Sequence, residues 1–415
     1  MGLTSAHAFE TSLYCSFLSP LEWHAVHSIS NFMGRGVTDS RDNSSLMRTE
    51  LIVNCGSDSP FVAEWTSLMR QVDPDNQLFG PEWFTAWSET WGRIGRWTGQ
   101  LDAIAVRDDE DCLQGVLCLG SLNIGPFRVR SCGGHSVPWR PLVAAKTREV
   151  QVGRAIGQYI VKSGWPLLQL GPVLCSDRTT EAMLETLREQ RCFMQSRDSR
   201  LQATLRTPET FDEYVKETIG AKAFRKIRYY ERRMEKSGPV EIRHFRQPDQ
   251  EETLQLFESL KLIEANSWMS VREDAVPRFT NDDLRQFWHR LTQQHLAPHD
   301  HIDAWVMFQN AEPVSFCFTL TSGTVRFVIA NNYAQSVRDH RTGSILFRYM
   351  LQDGMERGIR CFEFGDGNIE YKSQWGAKYG DRCDTYAVVP NRLFGAVARV
   401  ASLAISKSEP EPVQV

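Results

Sequence analysis

Four side chains near the end of the chain are of types that move protons and hold charge. In "CFEFGDGNIEYKSQWGAKYGD", residues 361–381, Glu363 and Asp366 are carboxylates, Tyr371 is a phenol and Lys372 an ammonium. A carboxylate at a strand end can take a proton from an attacking group and a phenol can return one. An ammonium can stabilise developing negative charge. Glu363 alternates with Phe362 and Phe364, so on a strand it faces away from them. Gly365 and Gly367 flank Asp366 and supply a turn. A bland reading fits the same letters: Asp366 caps the turn, and Tyr371 and Trp375 close a core. Residue types alone leave both readings open.

The elements that must position these residues lie just upstream. "IDAWVMFQNAEPVSFCFTLTSGTVRFVIANNY" reads as a β-meander of three apolar strands with turns at "QNAEP" and "TSGT". "TGSILFRYMLQDGMERG" reads as a helix closed by Gly358, and "IRCFEF" as a buried strand. A helix entered from a strand and loop presents free N–H groups and the positive end of its dipole, which bind phosphate. Arg338, His340 and Arg341 precede this helix, and Thr342, Gly343 and Ser344 open it. Gly343 would let a ligand approach the backbone. An ordinary N-cap by Thr342 or Ser344 explains the same residues.

The first half is built in a similar style. "SPFVAEWTSLM" is a helix with Ser59 as N-cap and Pro60 at its first position. Strands follow in "LDAIAVRDD", "CLQGVLCLGSLN" and "FRVRSCGG". "REVQVGRAIGQYIVKSG" is a helix, "PLLQLGPV" a strand, "RTTEAMLETLREQRC" a helix, and "FMQSRDSRLQATLR" a strand pair or one bent strand. This is mixed α/β, and no Gly-x-Gly-x-x-Gly follows a strand, so a dinucleotide fold has no support. "TPETFDEYVKETIGAKAFRKIRYYERRMEKSG" is helical in two pieces with a break near Gly220. Its second piece has seven basic residues and an apolar stripe at Ala223, Ile227, Tyr230 and Met234.

At 415 residues the chain is too long for one ordinary core, so two domains are expected. Net charge is −4, which gives no global reason for nucleic acid or an acidic membrane as partner. The ten cysteines form no C-x-x-C pair, and Cys118 and Cys317 lie in apolar runs, as small core residues do. The N-terminus lacks the features of a signal peptide, and no apolar run is long enough for a membrane span. A cytoplasmic protein is the expectation. "LFGAVARVASLAIS" reads as a packed terminal helix. In "HRLTQQHLAPHDH", Pro298 interrupts the His295–His299 spacing, so no metal site is expected. The Cys132–His135 pair in "CGGHSVPW" is three residues of loop and carries little.

The segment "RTGSILFRYMLQDGMERGIRCFEFGDGNIEYKSQWGAKYG" resembles the C-terminal hallmark of the CelD/BcsL-like acetyltransferases, in the GNAT superfamily. "AFRKIRYYERRMEKSGPVEIRHF", "LIEANSW" and "FGPEWFTAW" match further family segments in the same order, so the resemblance spans roughly 60–390. It implies a mixed α/β fold of two GNAT-like halves, as in the FemABX aminoacyltransferases. The implied boundaries are an extension over 1–48, halves over 49–215 and 216–395, and a helix and tail over 396–415. It implies transfer of an acyl group, acetyl or another, from acyl-CoA to an amine or hydroxyl on a small-molecule or saccharide acceptor, often in exopolysaccharide synthesis. Arg338, Arg341, Thr342, Gly343 and Ser344 would then hold the CoA pyrophosphate, and the backbone of Val328–Ala330 the pantetheine arm. Of the usual Arg/Gln-x-x-Gly-x-Gly/Ala pattern only Gly343 is present, and Met269 stands where the family tends to place Lys. Asp366 and Glu363 become base candidates, Tyr371 the proton donor to a leaving thiolate, and Lys372 the charge stabiliser. Arg225, Arg228 and Trp268 would contact substrate. Two alternatives stay open: a FemABX-like enzyme using aminoacyl-tRNA, the one case in which nucleic acid enters, and a non-catalytic binding protein.

Overall fold

A computed structural model describes residues 47–73, 80–93, 97–124, 127–132, 141–271, 277–294, 300–365 and 369–390. Asp366, His135, His295, His299, residues 1–46 of the expected 1–48 extension and the 391–415 segment lie outside the described residues.

One sheet of thirteen strands runs through the described chain. In the first half, β1 (Arg48–Val53), β2 (Trp97–Arg107), β3 (Leu113–Ile124) and β4 (Phe127–Cys132) pair antiparallel in order, with β5 (Leu142–Ala144) beside β3. In the second half, β8 (Val240–Arg246), β9 (Asp300–Gln309), β10 (Glu312–Ser322) and β11 (Val325–Tyr333) do the same. Each meander then leads through a helix into a parallel strand. Helix α3 (Glu149–Lys162) leads to β6 (Leu168–Leu174) beside β4, and α9 (Thr342–Glu356) leads to β12 (Cys361–Glu363) beside β11. These are the two parallel joints of the sheet, and a parallel neighbour needs such a crossover.

The halves join at β7 (Phe193–Arg206), a single strand, which is antiparallel to β12. The last strand, β13 (Lys378–Val389), leaves the second half and inserts between β6 and β7. No strand was expected over 378–389, so this crossover is a finding of the structure.

Helices cover both faces. One face carries α1 (Pro60–Met69), α2 (Pro81–Glu89), α7 (Gln250–Ala265) and α8 (Asp282–Gln293). Here Trp83 of α2 meets Phe287 and Trp288 of α8 edge-on at 5.2 and 5.7 Å, so the two halves share one aromatic core. The other face carries α3 and α4 (Arg178–Glu189) on the first half. On the second half it carries α5 (Phe211–Tyr214), α6 (Ala221–Glu235), α9 and α10 (Ile369–Ser373). Local signals set these boundaries. Pro60 opens α1, Asp249 and Glu252 close a capping box on α7, and Gly220 at φ 79° separates α5 and its following turn from α6. Cys118 and Cys317 are fully buried, as expected.

Candidate active site

β11 and β12 pair over three residues only, ending at Phe327 and Glu363. Beyond that point the strands part. Phe364 and Gly365 continue the ladder on β7, through Phe364 N–H to Ala203 O at 2.9 Å and Ala203 N–H to Gly365 O at 3.1 Å. β11 stays with β10 to Tyr333. A slot therefore opens through the sheet, with the backbone edge of β11 from Val328 onward along one side. A bulge sits at this point: Phe318 pairs with Ala330 and Thr319 with Val328, which leaves Ile329 extra. The extra residue shifts the alternation. Ile329 and Ala330 both join the α7/α8 core, Asn331 turns to α9, and Asn332 turns to the segment just after α7, where its Nδ2 donates to Ser267 Oγ at 3.0 Å. The bulge was not anticipated from sequence, although two adjacent asparagines ending an apolar strand mark the place.

Helix α9 starts at the edge of this slot. Its N-cap is Arg341, in the left-handed conformation at φ 51°, and no side chain caps the helix. The expected caps, Thr342 and Ser344, do not act as caps. Thr342 is 1% exposed and its Oγ1 has no hydrogen-bond partner. Gly343 has a packing reason: a Cβ there would lie 2.8 Å from Asn331 Oδ1, so the glycine lets α9 close on β11 rather than only baring backbone. Arg338 is exposed, with no partner among the described residues. Arg341 is also exposed and lies over the Tyr230 ring of α6, 5.4 Å from its centroid. The structure thus gathers Arg338, Arg341, Thr342 and Ser344 around one uncapped helix start.

Beyond the slot, α10 brings in Tyr371 and Lys372. The Lys372 ammonium donates to Gly365 O at 2.9 Å. Tyr371 packs edge-on against Phe347 of α9 at 5.6 Å, beside Phe364 and Trp375. Burial pushes its phenol well above the ordinary range, with the neighbouring Cys317 adding to the rise. Tyr371 is thus a neutral hydrogen-bond donor at any working pH and not a base. Trp375 is buried in the same core, as the packing reading has it. Glu363 faces the other way. It is in register with Phe327 and Thr204, on the α7/α8 side, so it and Tyr371 sit on opposite faces of the sheet.

Trp268 is 37% exposed in the turn after α7, next to the Ser267–Asn332 contact, and belongs to the Glu363 side. Arg225 and Arg228 lie on the outward face of α6 with Lys222, Lys226, Arg232, Arg233 and Lys236, all exposed. The inner face of α6 is tied to α9 by Glu231, which accepts from Arg348 and from the Tyr349 hydroxyl, both at 2.7 Å.

A buried ion cluster, not anticipated from sequence, fixes the other ends of β11 and α9. Arg326 is fully buried and contacts Asp303 at 3.2 Å, Asp353 at 3.1 Å and Met350 O at 3.0 Å. Burial alone would raise the Asp303 carboxyl, but His244, His301 and the Arg326 guanidinium overcome this and hold it well below the usual carboxylate range.

Residues 221–373 match the family model described as an acetyltransferase (GNAT) domain. This stretch holds β11, α9, β12 and α10, the elements that make the slot, so the similarity to a GNAT acetyltransferase domain falls on the slot itself. No curated protein matches the chain. Among solved structures, FemX superposes with a TM-score of 0.52 at 12% identity, over 81% of this chain and 98% of that one. The C-terminal domain of a putative lysylphosphatidylglycerol synthetase from Agrobacterium fabrum gives a TM-score of 0.47 at 11% identity, over 83% and 95%. A tandem GNAT protein from the clavulanic acid biosynthesis pathway gives 0.44 at 12% identity, over 83% and 99%. At these identities the likeness is one of fold, and the FemX superposition carries it. Among the described residues, no helix is long and apolar enough to cross a membrane and no three metal-type ligands are grouped.

Proposed function

We propose that the chain is an acyltransferase of the CelD/BcsL type, which moves an acyl group from an acyl-CoA to an amine or hydroxyl acceptor. The two halves are 49–215 and 216–395, and the second holds the donor. The observation that carries this reading is the buried Thr342 Oγ1 without a partner at an uncapped helix start, with Arg338 exposed beside it. Buried hydroxyls are normally satisfied, and a helix start with cations nearby suits phosphate oxygens. Thr342, Gly343 and Ser344 would meet the pyrophosphate, and the Val328–Ala330 edge the pantetheine amides.

The donor supplies an activated thioester carbonyl. The acceptor's N–H or O–H bond breaks, its proton passes to a carboxylate, Asp366 or Glu363, a C–N or C–O bond forms and the C–S bond breaks. Tyr371 offers its hydroxyl proton as a hydrogen bond to the departing sulfur. Lys372 holds the Gly365 turn and adds positive charge beside the carbonyl. No covalent enzyme intermediate is required.

A second reading, an aminoacyltransferase using aminoacyl-tRNA, is favoured by the FemX fold and the outward basic face of α6. Melting of the full chain with acetyl-CoA, longer acyl-CoAs and tRNA separates the two. A ligand at 100 times its Kd adds about 2.7 kcal/mol of stability. Stabilisation by an acyl-CoA that weakens in Thr342→Val is the expected result. Stabilisation by tRNA alone, falling steeply with salt, would establish the second reading instead.

A further inference from the structure

The seam between the two halves contains polar side chains that the packing does not explain. Along β7, Ala203 and Leu205 join the core beneath α9, so Gln202 and Thr204 face the α7/α8 side. Thr204 is the register partner of Glu363, which places the Glu363 carboxylate on that same face at the last pair before the slot. Gln202 is 1% exposed, yet neither its Nε2 nor its Oε1 has a hydrogen-bond partner. Thr204 Oγ1 is buried and equally unpartnered. Thr204 and Glu363 are half-buried, so this end of the row reaches the surface and Gln202 lies one step deeper.

An unpaired buried carboxamide and hydroxyl are costly, and apolar residues of the same size would avoid the cost. Their place, beside Glu363 at the last pair before the slot, gives the reason to keep them. We propose that Gln202 and Thr204 determine acceptor specificity, by reading a neutral group that carries a hydrogen-bond donor and an acceptor on neighbouring atoms. The carboxamide edge offers one donor and one acceptor, Thr204 offers either, and Glu363 accepts. A vicinal pair of hydroxyls or a secondary amide satisfies this set. A simple alkylammonium, the form of n-butylamine at neutral pH, brings donors only and leaves Nε2 unpaired. A phosphate brings acceptors only and is repelled by Glu363. The proposal rests on the acyltransferase reading for the location of the chemistry and adds the acceptor's recognition.

Saturation-transfer NMR on the full chain with methyl α-D-glucopyranoside, N-acetylglycine methylamide and n-butylamine tests it. Transfer to the glucoside or to the diamide is expected, and which of the two responds distinguishes the sources. n-Butylamine should show none. In Gln202→Met that transfer should weaken by about tenfold or more, while the unliganded protein melts no lower than wild type because the orphan amide is gone. A fall of more than about 2 °C in Gln202→Met would show a structural partner and overturn the proposal. So would transfer to neither probe, transfer to n-butylamine alone, or transfer unaffected by the substitution. The acetyl-CoA shift in melting is recorded on both proteins. If wild type lacks that shift but keeps the probe transfer, the donor reading falls and this inference stands. The reverse overturns this inference alone.

Discussion

Arg326→Met tests whether the buried cluster sets the geometry on which the slot depends. Arg326 joins β11 to β9 through Asp303, to α9 through Asp353 and Met350 O, and to β10 through Thr321 Oγ1 at 3.0 Å. Methionine keeps much of the aliphatic volume and removes all four contacts. Breaking a fully buried pair from one side costs about 3–5 kcal/mol, because the surviving charge stays buried without its partner. Here the lower end applies, since Asp303 keeps His244 at 3.1 Å and Asp353 keeps Arg357 at 2.6 Å. An unfolding entropy of about 2.1 cal/mol/K per residue over 415 residues gives about 0.9 kcal/mol/K, so a loss of about 3 kcal/mol lowers Tm by about 3 °C. The pH dependence has a definite sign. Asp303 is held below its unfolded value, so its contribution is present above the ordinary carboxylate range and disappears as pH falls through its lowered value. Removing Arg326 raises that value, so acid unfolding of the variant begins at higher pH than in wild type. Melting followed by circular dichroism from neutral pH down to pH 3 measures both effects. A loss below about 1 kcal/mol, the size of an exposed pair, with an unmoved acid limb would refute the reasoning. In the double variant with Asp303→Asn, part of the loss should return, since no buried charge is then stranded.

Glu264→Gln should cost about 2–3 kcal/mol in urea unfolding, because Glu264 accepts from three backbone N–H groups, of Arg278, Phe279 and Thr280, and from Thr280 Oγ1, where an amide nitrogen would face donors. An unchanged midpoint would show that the 278–280 turn does not depend on it. Lys372→Met loses the bond to Gly365 O, worth about 1 kcal/mol at a half-buried site. If the ammonium also stabilises developing charge, release of free CoA thiol should fall about 100-fold, near 2.7 kcal/mol of barrier. A fall no larger than the loss in stability would reduce Lys372 to a brace for the turn.

The break at Gly220, the opening of α1 at Pro60 and the turns of the β9–β11 meander were legible because each is decided within a few residues. Trp375 in the core was legible for the same reason, once the strand before it was read. Glu363 shows the limit. Its alternation with Phe362 and Phe364 put it on the opposite side from them, but only the register with Thr204 shows what shares that side. Thr342 shows another. A threonine at a helix start reads as a cap, yet here Arg341 takes the cap position and the hydroxyl is left buried without a partner. Nothing local announces that outcome, since it depends on how closely α9 approaches β11.

From sequence alone, the longer helices, the two meanders and the order of those elements were determined, because periodicity and turn chemistry act over short range. Tertiary structure alone decided that β13 returns between β6 and β7, that β11 and β12 part after three pairs, and that Arg326 is buried among acids. It also decided that Gln202, Thr204 and Glu363 meet on one face. Those facts depend on pairings between residues up to 220 positions apart, as in Val388 with Leu168. No local propensity encodes such pairings, because what selects them is the burial of whole faces against one another.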